Sequence, residues 1–154
     1  MAEALQRTDQ EWMHEAIKLA KHATSQQEVP VGAILVREDK LIGEGWNQPI
    51  SKNDPSAHAE IIALRDAAAN VKNYRLLHTT MYVTLEPCLM CVGAMLHARI
   101  ERLVFGAHDP KTGAVETVFK LLENEQHNHQ IHAVGGVLGS ECGALLKDFF
   151  SQRR

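Results

Sequence analysis

Thr80-Met81-Tyr82-Val83-Thr84-Leu85-Glu86-Pro87-Cys88-Leu89-Met90-Cys91-Val92, residues 80–92, is the stretch on which the reading of this chain turns. Its first half, Thr80 to Leu85, is rich in β-branched and aromatic side chains and predicts a strand. Pro87 has its backbone torsion fixed in a way that suits the first position of a helix. Val92, Met95 and Leu96 give that helix an apolar side. A further strand is predicted at Leu103-Val104-Phe105, ended by Gly106. Strands that alternate with helices point to the α/β class.

The same alternation extends in both directions. Thr8-Asp9-Gln10-Glu11 reads as a capping box, and behind it Met13, Ala16, Ile17, Ala20 and Ala23 recur at helical spacing. Val31 to Val36 and Leu41 to Trp46, joined by the charged turn Arg37 to Lys40, predict a hairpin. After the break at Asp54-Pro55-Ser56, Ile61, Ile62, Leu64 and Ala68 mark a second helix. A weak strand is expected around Ile131 to Val134. A closing helix carries Leu145, Leu146, Phe149 and Phe150, with Ser140 as its expected cap. The sum is a three-layer α/β/α sandwich around a mixed sheet, expected to form one domain over residues 1–154.

Composition narrows the field. Of 154 residues, 45% are hydrophobic and 23% charged, enough for a core without disulfide staples. Three cysteines, an odd number, argue against a disulfide framework. No apolar run approaches the roughly 18 residues of a membrane span, and Met1 to Asp9 contains no secretory apolar core. A cytoplasmic protein is expected. The net charge of −3 excludes wholesale basicity, so any nucleic acid must be held through a local patch.

The chemistry lies in His58-Ala59-Glu60 and, thirty positions after His58, Cys88-Leu89-Met90-Cys91. Two thiolates and one imidazole suit one zinc ion, and three protein ligands leave a fourth position for water. His58 and Glu60 stand at i and i+2, so they converge on one point only if a helix N-terminus is aimed at it. Positive helix ends there would favour thiolates and a negative centre. Glu60, beside a ligand and not needed as one, is then placed to move protons. A closed structural site would need a fourth protein ligand. The only spare cysteine, Cys142, reads as a small core residue.

Together, His-x-Glu and Pro-Cys-x-x-Cys form the signature of the zinc nucleobase deaminases. The chain resembles that superfamily and, within it, the bacterial tRNA-specific adenosine deaminases, from about Trp12 to Phe150. The stretches that carry the resemblance include Glu28-Val29-Pro30-Val31-Gly32-Ala33, Gly43-Glu44-Gly45-Trp46-Asn47, Asp54-Pro55-Ser56-Ala57-His58-Ala59-Glu60-Ile61, Asn73-Tyr74-Arg75-Leu76 and Lys111-Thr112-Gly113-Ala114. His108 departs from the arginine expected at its loop position.

The resemblance implies a cytidine-deaminase-like fold with a five-stranded sheet and one zinc per chain. It also implies hydrolytic conversion of adenosine to inosine at the wobble position of a tRNA anticodon, by a zinc-activated hydroxide with Glu60 as proton shuttle. An arginine tRNA is the expected substrate, and a homodimer built through the Pro87 helix the expected assembly. Substrate contacts are implied at Asn47, Ala59, Asp109 and Lys111, and at Phe149, Phe150, Arg153 and Arg154 of the last helix.

Several plainer readings stand beside these. Asn47 and Asp109 both sit where turns are expected. Of the two phenylalanines, one is expected to pack and the other to stack on a base. His127, His129 and His132 form a histidine-rich stretch that reads as an exposed loop and strand edge. Gly43-Glu44-Gly45 lacks the third glycine and the helix of a dinucleotide fingerprint. The two metal motifs alone also fit a deaminase of cytosine, deoxycytidylate or guanine. The flanking Asn73-Tyr74-Arg75 and Lys111-Thr112-Gly113 favour the tRNA enzyme.

Overall fold

In the computed structural model, which describes residues 6–153, a single five-stranded sheet runs in the order β2-β1-β3-β4-β5. The strands are β1 (Gly32–Arg37), β2 (Lys40–Trp46), β3 (Thr80–Leu85), β4 (Arg102–Ala107) and β5 (His132–Val134). β1 pairs antiparallel with both β2 and β3, whereas β3, β4 and β5 are parallel. The helices are α1 (Asp9–Ser25), α2 (Pro49–Lys52), α3 (Ala59–Val71), α4 (Leu89–Ala98) and α5 (Gly139–Ser151). No helix among the described residues is long and apolar enough to cross a membrane.

Period-two alternation sorts the strand side chains onto two faces. Ala33 and Leu35, Met81 and Val83, and Leu103 and Phe105 meet α3 and α4 on one side. Ile34, Val36, Tyr82 and Val104 meet α1 and Cys142 of α5 on the other. Burial on both faces explains why these strands read as nearly continuous apolar runs. The mixed three-layer sandwich is therefore as expected.

The local signals held in part. Thr8 caps α1 by accepting the Glu11 N–H at 3.2 Å, and its hydroxyl donates back to the Glu11 carboxylate. The hairpin turns through Glu38 and Asp39, both left-handed at φ 51° and 58°, as a tight two-residue turn requires. Pro87 is not the first helical residue: Cys88 is the N-cap of α4 and Pro87 precedes it. Ser140 is not the cap of α5 either, because the N-cap is Leu138, two residues earlier, and Ser140 is already helical. Gly106 lies within β4 instead of ending it. The single-turn α2 and a 3₁₀ turn at Leu121–Glu123 were not foreseen. Both are shorter than the window over which periodicity can be read.

β2 accepts α3 at unusually short range through glycine. A Cβ on Gly43 would fall 2.6 Å from Ala67 N, and one on Gly45 would fall 2.6 Å from Ala59 O and Ala63 N. The glycines that failed as a nucleotide fingerprint thus let α3 lie directly on the strand.

Candidate metal centre and active site

Two helix N-termini converge at the C-terminal end of β3, where open α/β sheets place their ligands. His58 is the N-cap of α3 and Cys88 the N-cap of α4, both in extended conformation. Neither side chain caps its own helix, so both are free to turn outward. Cys91 follows in the first turn of α4 and is fully buried. Cys88 Sγ and Cys91 Sγ each lie 3.6 Å from His58 Nδ1 and 3.8 Å from one another.

Those spacings can be tested against a metal. Tetrahedral zinc with bonds of about 2.3 Å to sulfur and about 2.0 Å to nitrogen separates two sulfurs by about 3.8 Å, and sulfur from nitrogen by about 3.5 Å. The three atoms therefore already lie close to three corners of a zinc tetrahedron. Among the described residues this is the only group of histidine, cysteine and acidic side chains close enough to share an ion. Cys142 is buried against Gly106 in the other layer and takes no part. In the histidine-rich stretch, the Nε2 atoms of His127 and His129 are tied to the carbonyls of Leu121 and Ile100, and no second cluster forms among the described residues.

The electrostatics fit an electron-rich centre. Hydrogen bonding from Cys91 brings the Cys88 thiol down to about 4, while the same contact pushes the Cys91 thiol up. Contact with Cys88 raises the His58 imidazole. Glu60, in the first turn of α3 and only 4% exposed, is pushed up to about 7 by burial.

The cleft above the candidate ligands has a volume of about 220 Å³, and its lining includes Asn47, His58, Glu60, Glu86 and Cys88 together with Val29, Leu85, Asp109 and Thr112. Asn47 is anchored by its N–H to Val31 O at 3.0 Å. Ala59 is fully buried and does not line the cleft. Asp109 takes the turn role as well as a place on the rim: its carboxylate accepts the Lys111 and Thr112 N–H groups and the Thr112 hydroxyl. A second chamber of about 420 Å³ shares Val29, Leu85, Asp109 and Thr112 with the first and adds His108, Lys111, Leu146 and Phe150. Phe149 is 8% exposed and Phe150 51%, so the first packs and the second faces outward. Arg153 stacks over the Phe149 ring at 3.8 Å. Arg154 lies outside the described residues.

Two buried carboxylates shape this cleft, Glu28, to which sequence reasoning gave no role, and Glu86, which it named only as the next candidate should Glu60 not move the protons. Glu28 accepts the N–H groups of Ile50 and Ser51 and so fixes α2 just behind Asn47. Glu86 holds the loop after β4. Glu28 opens the apolar run Val29-Pro30-Val31, and Glu86 stands between Leu85 and Pro87. A lone acid in such a setting signals a buried partner, although not which one.

Residues 6–107 match the sequence profile of the cytidine and deoxycytidylate deaminase zinc-binding region. The tRNA-specific adenosine deaminase of Haemophilus influenzae is 53% identical over 147 residues, covering 95% of this chain and 85% of that protein. That of Bacillus subtilis is 44% identical, covering 95% and 91%. A solved structure from a study of A-to-I editing by tRNA:A34 deaminases at the wobble position superposes with a TM-score of 0.84. It shares 40% identity and covers 87% of this chain and 97% of its own. A guanine deaminase from Nitrosomonas europaea shares the fold, with a TM-score of 0.82 at 22% identity, over 97% of this chain and 87% of its own.

Proposed function

The chain belongs to the tRNA-specific adenosine deaminases of the cytidine and deoxycytidylate deaminase family, and from that premise we propose that it converts adenosine to inosine at position 34 of a tRNA anticodon, an arginine tRNA first of all. The observation that carries the reading is the three-ligand set at zinc spacing, open on one side to a cleft in which Glu60 is buried. His58, Cys88 and Cys91 would hold one zinc ion. When bound, it supplies the Lewis acidity that makes water a nucleophile near neutral pH.

The chain's own residues divide the remaining work. The Glu60 carboxylate takes a proton from the attacking water and delivers it to N1 of the base. It later carries a proton to the amino group leaving C6, so that adenine plus water becomes hypoxanthine plus ammonia. Asn47 holds the flipped nucleoside by its amide, which both donates and accepts. Ala59 can offer only its backbone at the first helical position. Asp109 and Lys111 hold flanking sugar and phosphate at the second chamber. Phe150, exposed beside them, supplies a stacking surface worth about 1–3 kcal/mol per base. Phe149 supports it from beneath with Arg153, and Arg154 is a further candidate for phosphate contact.

A single-stranded loop suits this cleft because its bases splay at little cost. The test compares kcat/KM for an anticodon stem-loop with adenosine at the wobble position, the same loop with cytidine there, and the free nucleosides. The stem-loop adenosine should be turned over far faster than the rest. Faster turnover of cytidine, or equal turnover of free adenosine, would assign the cleft to a small-molecule deaminase.

We also propose a homodimer formed through α4, working in the cytoplasm where tRNA is processed. Leu89 and Met90 are exposed on α4, and a Cβ on Gly93 would meet nothing within 4 Å among the described residues. A mid-helix glycine costs about 1 kcal/mol against alanine, and no close packing among the described residues requires it. Light scattering on active protein at micromolar concentration should give twice the chain mass. A value near 17.1 kDa would refute the dimer.

A further inference from the structure

Glu86 is only 2% exposed, and no basic side chain pairs with it among the described residues. Its charge is met by one loop instead. Oε2 accepts the consecutive N–H groups of Val115, Glu116 and Thr117 at 3.0, 2.8 and 3.0 Å. Oε1 accepts the Asp109 N–H at 3.1 Å and the Thr117 hydroxyl. Five donors exceed the roughly four lone-pair sites of a carboxylate, so Glu86 has no free lone pair with which to act as a base.

The attachment is continuous along the backbone. The Glu86 N–H donates to Ala107 O at 2.8 Å, and the carbonyl of Pro87 accepts the Ala114 N–H at 2.9 Å. The next residue is Cys88, a candidate metal ligand. From the loop side the fit leaves no room: a Cβ on Gly113 would fall 2.5 Å from Glu86 Cδ and Oε1 and 2.7 Å from Asp109 O. The loop that carries Asp109, Lys111 and Thr112 onto the cleft rim therefore hangs on the dipeptide that leads into the metal centre.

We propose that Glu86 is a positioning residue: it fixes the Asp109–Thr117 loop, and with it the substrate-facing wall, relative to the metal ligands. Its effect on RNA rests on the reading of the cleft given above. Glu86→Gln replaces an acceptor-only group by one whose NH₂ faces N–H donors, which loosens the loop without touching a ligand. Gly113→Ala presses on the same latch from the other side and leaves Glu86 intact. Thr117→Val removes one donor.

The experiment measures zinc content, amide hydrogen exchange at residues 115–117, and kcat and KM for the anticodon stem-loop. All three variants should keep one zinc per chain and exchange faster at residues 115–117. In Glu86→Gln and Gly113→Ala, KM should rise by at least about tenfold while kcat stays within about threefold, the pattern of lost substrate binding. Thr117→Val should move the same way by less. Unchanged exchange and KM in Glu86→Gln and Gly113→Ala would overturn the proposal. So would loss of zinc, or a fall in kcat with KM unchanged, either of which would put Glu86 in the metal centre or the proton path. If the unmodified protein does not deaminate the stem-loop, the functional reading fails. Hydrogen exchange then still decides whether Glu86 holds the loop.

Discussion

Gly45→Ala makes the closest test of how the sheet positions the chemistry. The added methyl would stand 2.6 Å from Ala59 O, 2.6 Å from Ala63 N and 2.8 Å from Ile62 Cβ. Two of these are backbone atoms of α3, so no side-chain rotation relieves the contact. Ordinary contact for a Cβ begins near 3.4 Å, and α3 must lift from β2 by about 0.8 Å at its first turn to reach it. Overpacking of this kind costs about 1–3 kcal/mol. For a chain of this size that lowers Tm by roughly 3–10 °C. The same turn carries His58 and Glu60. A misplacement near 1 Å can cost about 10²-fold in rate, so the loss of kcat/KM should exceed what the loss of folded protein explains. Calorimetry, zinc content and stem-loop kinetics on one preparation below Tm separate these effects. A Tm within about 1 °C of the parent, together with kcat/KM within about twofold, would refute the argument that glycine at β2 sets the position of the catalytic turn.

Cys88→Ser and Cys91→Ser should each purify with much less zinc and reduced stability, since each sulfur would supply one corner of the tetrahedron; Cys142→Ser should retain zinc, and an empty site in that variant would refute the three-ligand set. Glu60→Ala should keep zinc and fold but lose at least about 10²–10⁴-fold in kcat, because one carboxylate serves several proton transfers; near-normal turnover at full zinc would move the shuttle elsewhere. Asp9→Asn breaks a two-pronged contact with Arg102 at 2.6 and 2.8 Å, which holds the Asp9 carboxyl below the usual carboxylate range. At partial exposure the loss should be about 1–2 kcal/mol near neutral pH. A lowered carboxylate contributes its stability above its unfolded pKa and loses it as pH falls through the folded one, so denaturant titrations of the two proteins should converge in acid; a gap that widened in acid would reverse the sign.

Much of the architecture was legible because its determinants are local. The i, i+3, i+4 spacing from Met13 to Ala23, the charged turn Arg37 to Lys40 and the apolar runs of β1, β3 and β4 each encode an element within a dozen residues. The candidate ligand set was legible for a related reason. A three-residue step between two cysteines, and a histidine followed two positions on by glutamate, are fixed by the chain itself. Their convergence was inferred only as a condition, that a helix N-terminus faces the metal. Meeting that condition took α3 laid on β2 through Gly43 and Gly45, and β3 delivering Cys88 to the head of α4.

What tertiary structure alone decided lies between elements. Which of the adjacent Phe149 and Phe150 packs depends on how α5 is rotated against β4, and neighbours in a sequence on an amphipathic face do not record that angle. Glu86 meets donors 23 to 31 residues away, from a loop whose own composition is that of an ordinary turn. Backbone N–H groups look the same at every position of a sequence. A carboxylate that recruits them can be placed only once the folded chain shows which ones are otherwise unpaired.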